Sequence, residues 1–392
     1  FGFASYGRVR FHHRSAAEYL AAQRLNRFCQ NGHMAKSALY GLLFGECYGQ
    51  QLVFPSMRAV AAWLAIGNDP VRDELLRREP EALMDDGDPE SFSLSARRRI
   101  LAEYVRRYGK DEWRGVRIPY PQVLRFASPE LSPTVRELWG EGSTSPEVRE
   151  LLIDLVQAGQ MQDCLDIASE VANDPDATPT DRVTALTALA EMTDPGGLNA
   201  LTASILAEKH WPSRVKEGVL GALFPKHMTI DQFVQMIGQI EITKHTVGGI
   251  EWTLPRLIPA MCLDSTQSRE FRAALTRLME ASIEHSENWP HFASRYSHLS
   301  SALATLCLAE LTSDAVPSQD LIAAAVISTR LRGHEYGDKK PGADLINRFH
   351  QAPRSWRKDV YVAEGAFCAA HIPARNGNEF GANLTHGTLV GQ

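Results

Sequence analysis

Three segments of the chain open in the same way, with a residue-proline step followed by apolar residues at i, i+3 or i+4, and i+7. These are Ser145-Pro146-Glu147-Val148, Thr178-Pro179-Thr180-Asp181 and Trp211-Pro212-Ser213-Arg214, and their starts are evenly spaced, 145 to 178 and 178 to 211. Proline suits the first turn of a helix, where its missing N–H costs nothing. A second apolar-periodic helix fits inside each interval, at about Asp163 to Ala172 and Leu198 to Ala207. A helix pair recurring at this period cannot bury its own apolar face, so neighbours must stack to make a core. The expectation is an all-α fold, an α-solenoid of HEAT-like helical repeats.

Length agrees with an array, because 392 residues exceed the ~250 to 300 at which single cores stop growing. Four segments are expected: 1–32, a helical linker over 33–140, the repeats over 141–315, and C-terminal helices with an irregular tail over 316–392. Within the linker, helices are predicted near Met34 to Tyr48, Ser56 to Ile66 and Ser95 to Tyr108, and a cap at Asn68 precedes Pro70. The helix from Ser95 should bury Ile100, Leu101, Tyr104, Val105 and Tyr108, while Arg97, Arg98, Arg99, Arg106 and Arg107 form a solvated face. Asp85 to Pro89 is an acidic turn, and Gly109 to Pro121 is a candidate for a short strand. After Gly249 the strict period fades, with stripes at Phe271, Leu275 and Leu278 and at Tyr296, Leu299, Leu303 and Leu306.

A net charge of -6 disfavours a dedicated nucleic-acid or anionic-membrane surface. No apolar run approaches the ~20 residues of a membrane span. Cys29, Cys47, Cys164, Cys262, Cys307 and Cys368 lie far apart without metal-ligand spacing and read as buried thiols of a reducing, cytoplasmic protein. His285, His291 and His298 straddle Pro290 and separate helical faces, so no metal site is expected there. Gly337 to Gly342 lacks the ending of a phosphate-binding loop, and no hydrolase or metalloprotease motif occurs. No enzyme activity is expected of these residues. Phe1 in place of methionine, and a strand pattern at Arg8 to Phe11 with nothing upstream to pair with, lead us to expect that the coding sequence extends further.

The stretch Phe11-His12-His13-Arg14-Ser15-Ala16-Ala17-Glu18-Tyr19-Leu20-Ala21-Ala22 carries the chemical signal. Ser15 and Glu18 have the spacing of a capping box, which would start a helix from about Ser15 to Cys29. His13 stands just ahead of it, where the free amides and dipole of a helix start favour an anion such as phosphate. Phe11, His13, Ser15, Glu18, Tyr19, Leu20, Ala21 and Ala22 resemble the end of the winged-helix region of NACHT-type STAND nucleotide switches, a family that includes NOD-like receptors and bacterial defence ATPases. Ala16 departs from the aromatic usual after the serine. Pro55 to Ala65 is similar to the helical segment that follows the ATPase core in large bacterial members.

The resemblance implies that residues 1–32 are a remnant of a winged-helix/NACHT module, that His13 touches the β-phosphate of ADP, and that Phe11, Ser15, Glu18 and Tyr19 support it. It further implies an upstream ATPase binding ATP or ADP with Mg, a protein ligand on the repeat surface, oligomerisation on activation and a role in antiviral defence against phage. A competing reading from the residues alone is a HEAT-like scaffold or adaptor with no nucleotide switch.

Overall fold

A computed structural model of the chain describes residues 2–4, 8–10, 13–110, 117–142, 145–208, 211–240, 250–285, 292–311, 316–331 and 340–371. They are mostly helical, with twenty α-helices and three two-stranded antiparallel hairpins among them. The polypeptide divides into two compact units, Phe1–Thr193 and Asp194–Gln392, a coarser division than the four segments expected.

The first unit opens with β1 (Gly2–Ala4) and β2 (Arg8–Arg10), paired in the register Gly2↔Arg10 and Ala4↔Arg8. The strand expected to lack a partner therefore has one in the residues immediately before it. Next come α1 (Arg14–Gln30) and α2 (Lys36–Leu43). The helix expected to run to Tyr48 ends at Leu43, because Phe44 enters a hairpin of β3 (Phe44–Cys47) and β4 (Gln50–Val53). Its turn residues Tyr48 and Gly49 both take positive φ, 51° and 77°, the twist that a two-residue hairpin loop requires. Gly45 lies beneath the Phe54 ring, where an added Cβ would fall 2.6 Å from a ring carbon. Helical periodicity cannot register such a turn.

Then follow α3 (Arg58–Gly67), α4 (Asp69–Arg78), α5 (Ala82–Asp85), α6 (Leu94–Tyr108), α7 (Tyr120–Phe126), α8 (Ser132–Gly140), α9 (Pro146–Ala158), α10 (Leu165–Asn173) and α11 (Pro179–Met192). Local chemistry fixes the starts: the Asn68 side chain accepts from the Val71 amide, and Thr178 caps α11 through the Asp181 amide. Every residue expected on the buried stripe of α6 is buried, and the helix ends at Gly109. Of the expected strand within 109–121, residues 111–116 lie outside the described residues; 117–119 are irregular and α7 begins at Tyr120.

Packing joins alternate helices. In the first unit α3 contacts α5, α5 contacts α7, α7 contacts α9 and α9 contacts α11; on the other side α4 contacts α6 and α6 contacts α8. The second unit contains α12 (Asn199–Ala207), α13 (Ser213–Leu223), α14 (Ile230–Gly238), α15 (Ile250–Leu257), α16 (Ser265–Glu280), α17 (Ser300–Glu310), α18 (Gln319–Arg330), α19 (Pro341–His350) and α20 (Arg354–His371), with β5 (Ile283–His285) and β6 (Phe292–Ser294) paired between α16 and α17. Here α12, α14, α16, α18 and α20 contact in succession, and so do α15, α17 and α19. The alternation persists past Gly249, where the sequence period fades. Leu275 is fully buried and Leu278 only half-buried, with Met279 taking the inward position.

Side-chain hydrogen bonds follow the same interval. In the first unit Arg97 reaches the Phe126 carbonyl 29 residues on, Arg136 reaches Asp166 30 on, and Gln157 reaches Glu191 34 on. In the second unit Gln239 donates to the Leu206 carbonyl at a separation of 33, and Arg348 to the Leu311 carbonyl at 37. The Arg97 bond joins α6 to the end of the next helix, α7, whereas each of the others ties a helix to its counterpart about one helix pair away. The arginines of α6 keep a solvated face, with Arg98, Arg99 and Arg106 exposed, and some also make such bonds: Arg97 to the carbonyls of Glu90, Phe92 and Phe126, Arg98 to that of Glu130, and Arg107 to that of Arg77.

All six cysteines are free, but only Cys164, Cys307 and Cys368 are buried; Cys47 and Cys262 are exposed, Cys47 because it sits in the unexpected hairpin. Burial pushes the Cys307 thiol up to about 12. Among the described residues no helix is long and apolar enough to cross a membrane.

Candidate functional site

His13 is the N-cap residue of α1, with extended backbone (φ -114°, ψ 127°), and its side chain is exposed. The expected capping box is absent. Ser15 falls inside the first turn, no side chain caps the helix start, and Glu18 instead pairs with Arg14 at 2.7 Å. The helix begins one residue before Ser15, so the Ser15 hydroxyl is past the position from which it could meet the orphan amides. No acidic residue lies in the first turn, so the amides face neither a capping oxygen nor a carboxylate of that turn. Phe11 lies outside the described residues.

The rest of the motif anchors α1 against α3. Tyr19 meets Trp63 edge-on with ring centroids 5.1 Å apart, and Ala22 is the single fully buried residue of the helix. Tyr19 and Leu20 remain 42% and 47% exposed, leaving one flank of α1 uncovered by this chain's described residues. Below that contact, Arg58 of α3 joins Glu79, Asp85 and Asp86. Burial raises the Asp86 carboxyl above its usual range, with Arg58 opposing and Asp85 and Glu18 adding to the rise. Arg14, paired with Glu18 on the same helix, offsets the effect of Glu18 on Asp86.

A second cluster, not anticipated from the sequence, lies between α7, α9 and α11. Arg117 donates to Asp154 at 2.7 Å and contacts Glu150 at 2.9 Å, one turn earlier on α9. Its guanidinium, with Tyr120, Asp154, Gln157 and Thr184, lines a cavity of about 410 Å³. Asp154 is 2% exposed and Asp181 is 7% exposed. Burial raises all three carboxyls, Glu150, Asp154 and Asp181, above the usual range, although Arg117 pulls each of them down. The available signal was a carboxylate at a core position, since Asp154 continues the buried stripe of Leu151 and Leu155.

The sign of the pH effect follows. A carboxyl raised by folding binds protons more tightly in the native state, so the stability it contributes is complete below its unfolded value and is lost as pH rises through the folded one. Asp154→Asn should therefore leave the first unit as stable as wild type or more so at neutral pH, with the difference closing below about pH 4. Urea unfolding at both pH values measures this. A loss of stability at neutral pH that vanishes in acid would show the Arg117 ion pair outweighing desolvation.

Of the three histidines discounted as a metal site, His298 is half-buried, and desolvation pushes it down to about 4. His291 and the His285 side chain lie outside what is described, and no group of metal-ligating side chains forms among the described residues. No protein-family model matches the chain, and neither the curated proteins nor the solved structures provide a match.

Proposed function

We propose that the chain is the helical-repeat sensor region of a STAND-type nucleotide switch, with residues 1–32 closing a winged-helix/NACHT module and the stacked pairs forming an α-solenoid that receives a protein ligand. The observation that carries the reading is His13: its ring is exposed at the start of a 17-residue helix whose first-turn amides no side chain caps. Such a start suits a phosphate, which would gain from both the amides and the helix dipole. The β1–β2 hairpin directly ahead of α1 is what a winged-helix remnant would leave. Alternate-helix packing and clasps at one-pair intervals support the solenoid, whose nearest-neighbour interfaces let an array flex on binding. In this scheme ATP or ADP with Mg belongs to an upstream ATPase, ligand capture favours the open, ATP-bound oligomer over the ADP-locked form, the setting is cytoplasmic, and the output is antiviral defence.

In the full-length protein, His13→Ala should weaken ADP retention by removing a hydrogen bond to a charged group of about 1.5–3 kcal/mol, and should raise activity without ligand. Nucleotide released from denatured protein, quantified by chromatography, reads this directly. Equal ADP content in wild type and mutant sinks the assignment. Ala16, small where the resembling family has an aromatic, favours the second reading: a HEAT-like scaffold in which α1 is only the first packed helix. Coding sequence upstream that lacks a phosphate-binding loop would favour the scaffold.

A further inference from the structure

Helix α1 is held differently from every other helix of the first unit. Each of α2 to α11 has a side-chain hydrogen bond or ion pair that ties it to another element. Tyr40 of α2 donates to the Pro70 carbonyl, Arg58 of α3 joins Asp85 of α5, and Arg78 of α4 donates to the Gly45 carbonyl. The clasps of Arg97, Arg136 and Gln157 supply the ties of α6 to α11. No side chain of α1 makes such a tie among the described residues; its ion pair, Arg14 with Glu18, closes within the helix.

What α1 buries is also slight. Of its seventeen residues only Ala22 is fully buried, whereas α3, ten residues long, buries Val60, Ala61, Ala62, Leu64 and Ala65. Leu25 and Phe28 are half-buried, and Tyr19 holds Trp63 through one edge of its ring. Helix α1 lies along α3, but burial stabilises in proportion to the apolar area removed from water, and a methyl group removes little. Charge does not make up the difference. The Asp86 carboxyl, raised first by its burial, is raised further by Glu18, the mark of like charges near one another, with Arg14 offsetting that effect. Helices owe most of their stability to packing, and α1 starts without a side-chain cap, so leaving α3 means unwinding.

We infer that α1 is a releasable strap, which leaves α3 and unwinds as one unit while α3 to α11 stay folded, baring the Trp63 ring. Such a strap couples whatever acts on α1 to the array behind it: a group that binds the docked helix holds it on α3, and one that binds the released segment frees it. The inference goes beyond the reading of His13 and needs no nucleotide.

Native-state hydrogen exchange of the whole chain, read by mass spectrometry on overlapping peptides from α1, α3 and α9, tests it. The α1 amides beyond the first turn should share one protection factor, at least ~100-fold below those of α3 and α9, because a separate opening unit exchanges by its own smaller free energy. Tyr19→Leu, which removes the ring contact from a half-exposed position, should speed exchange in α1 by about 2–10-fold, the worth of an aromatic pair, and leave α3 unchanged. Protection around Ala22 equal to that of α3 overturns the inference. So does a protected centre with exchange rising only toward the helix ends, which is ordinary fraying. A Tyr19→Leu variant in which α1 is unaffected, or in which α3 accelerates in step with it, also overturns the inference.

Discussion

Arg272→Ala should lower the stability of the second unit by about 3–5 kcal/mol, because it leaves a carboxylate in a largely closed environment without its cation. Arg272 is 4% exposed, donates to Glu310 of α17 at 2.7 Å and to the Asp320 carbonyl of α18 at 2.9 Å, and so pins three consecutive helices from one guanidinium. The Glu310 side chain is only 17% exposed, so water can replace Arg272 only in part. Replacing both partners by apolar residues of similar size, Arg272→Met with Glu310→Leu, should recover most of the loss, since what costs is the orphaned charge more than the missing pair. Urea denaturation of the two single variants and the double measures the coupling. If the double variant is as unstable as the sum of the singles, the pair is not the reason for the loss.

Such a clasp is hard to foresee, whereas the helices it joins are not. Apolar spacing predicted the α6 stripe from Ile100 to Tyr108 residue by residue, and the residue-proline steps at Ser145 and Thr178 placed α9 and α11, because both signals are local to one helix. What failed was also local in origin. A hairpin replaced the last third of a predicted helix at Phe44, since the left-handed Tyr48-Gly49 turn and the Phe54 ring over Gly45 outweigh the apolar run. The capping box at Ser15 and Glu18 failed because one extra helical residue, Arg14, offered Glu18 a nearer partner than the backbone.

The electrostatic features depend on contacts about one helix pair apart, which a single sequence does not reveal. Asp154 could be recognised as a carboxylate in an apolar stripe, but nothing near it in the chain says that Arg117 answers it. The motif at His13 lies between these cases: the residues are legible, their exposure is not.

Phe271→Ala should cost the second unit about 3–5 kcal/mol, the range for removing a fully buried aromatic and leaving a cavity. Phe271 is 0% exposed and meets Phe224 and Phe233 at ring-centroid distances of 5.1 and 5.0 Å, the latter edge-on, so its removal also forfeits the quadrupole contacts of two aromatic pairs. Against a native stability of about 5–15 kcal/mol this is a large fraction. Phe271→Leu, which keeps most of the volume, should cost less. The distribution of the loss is as informative as its size. In an array whose helices contact only near neighbours, hydrogen exchange should accelerate most in α14 and α16 and progressively less toward α20. Uniform acceleration across the whole unit would mean that it folds as a single cooperative core, and a stacked-pair account of this half of the chain would have to be given up.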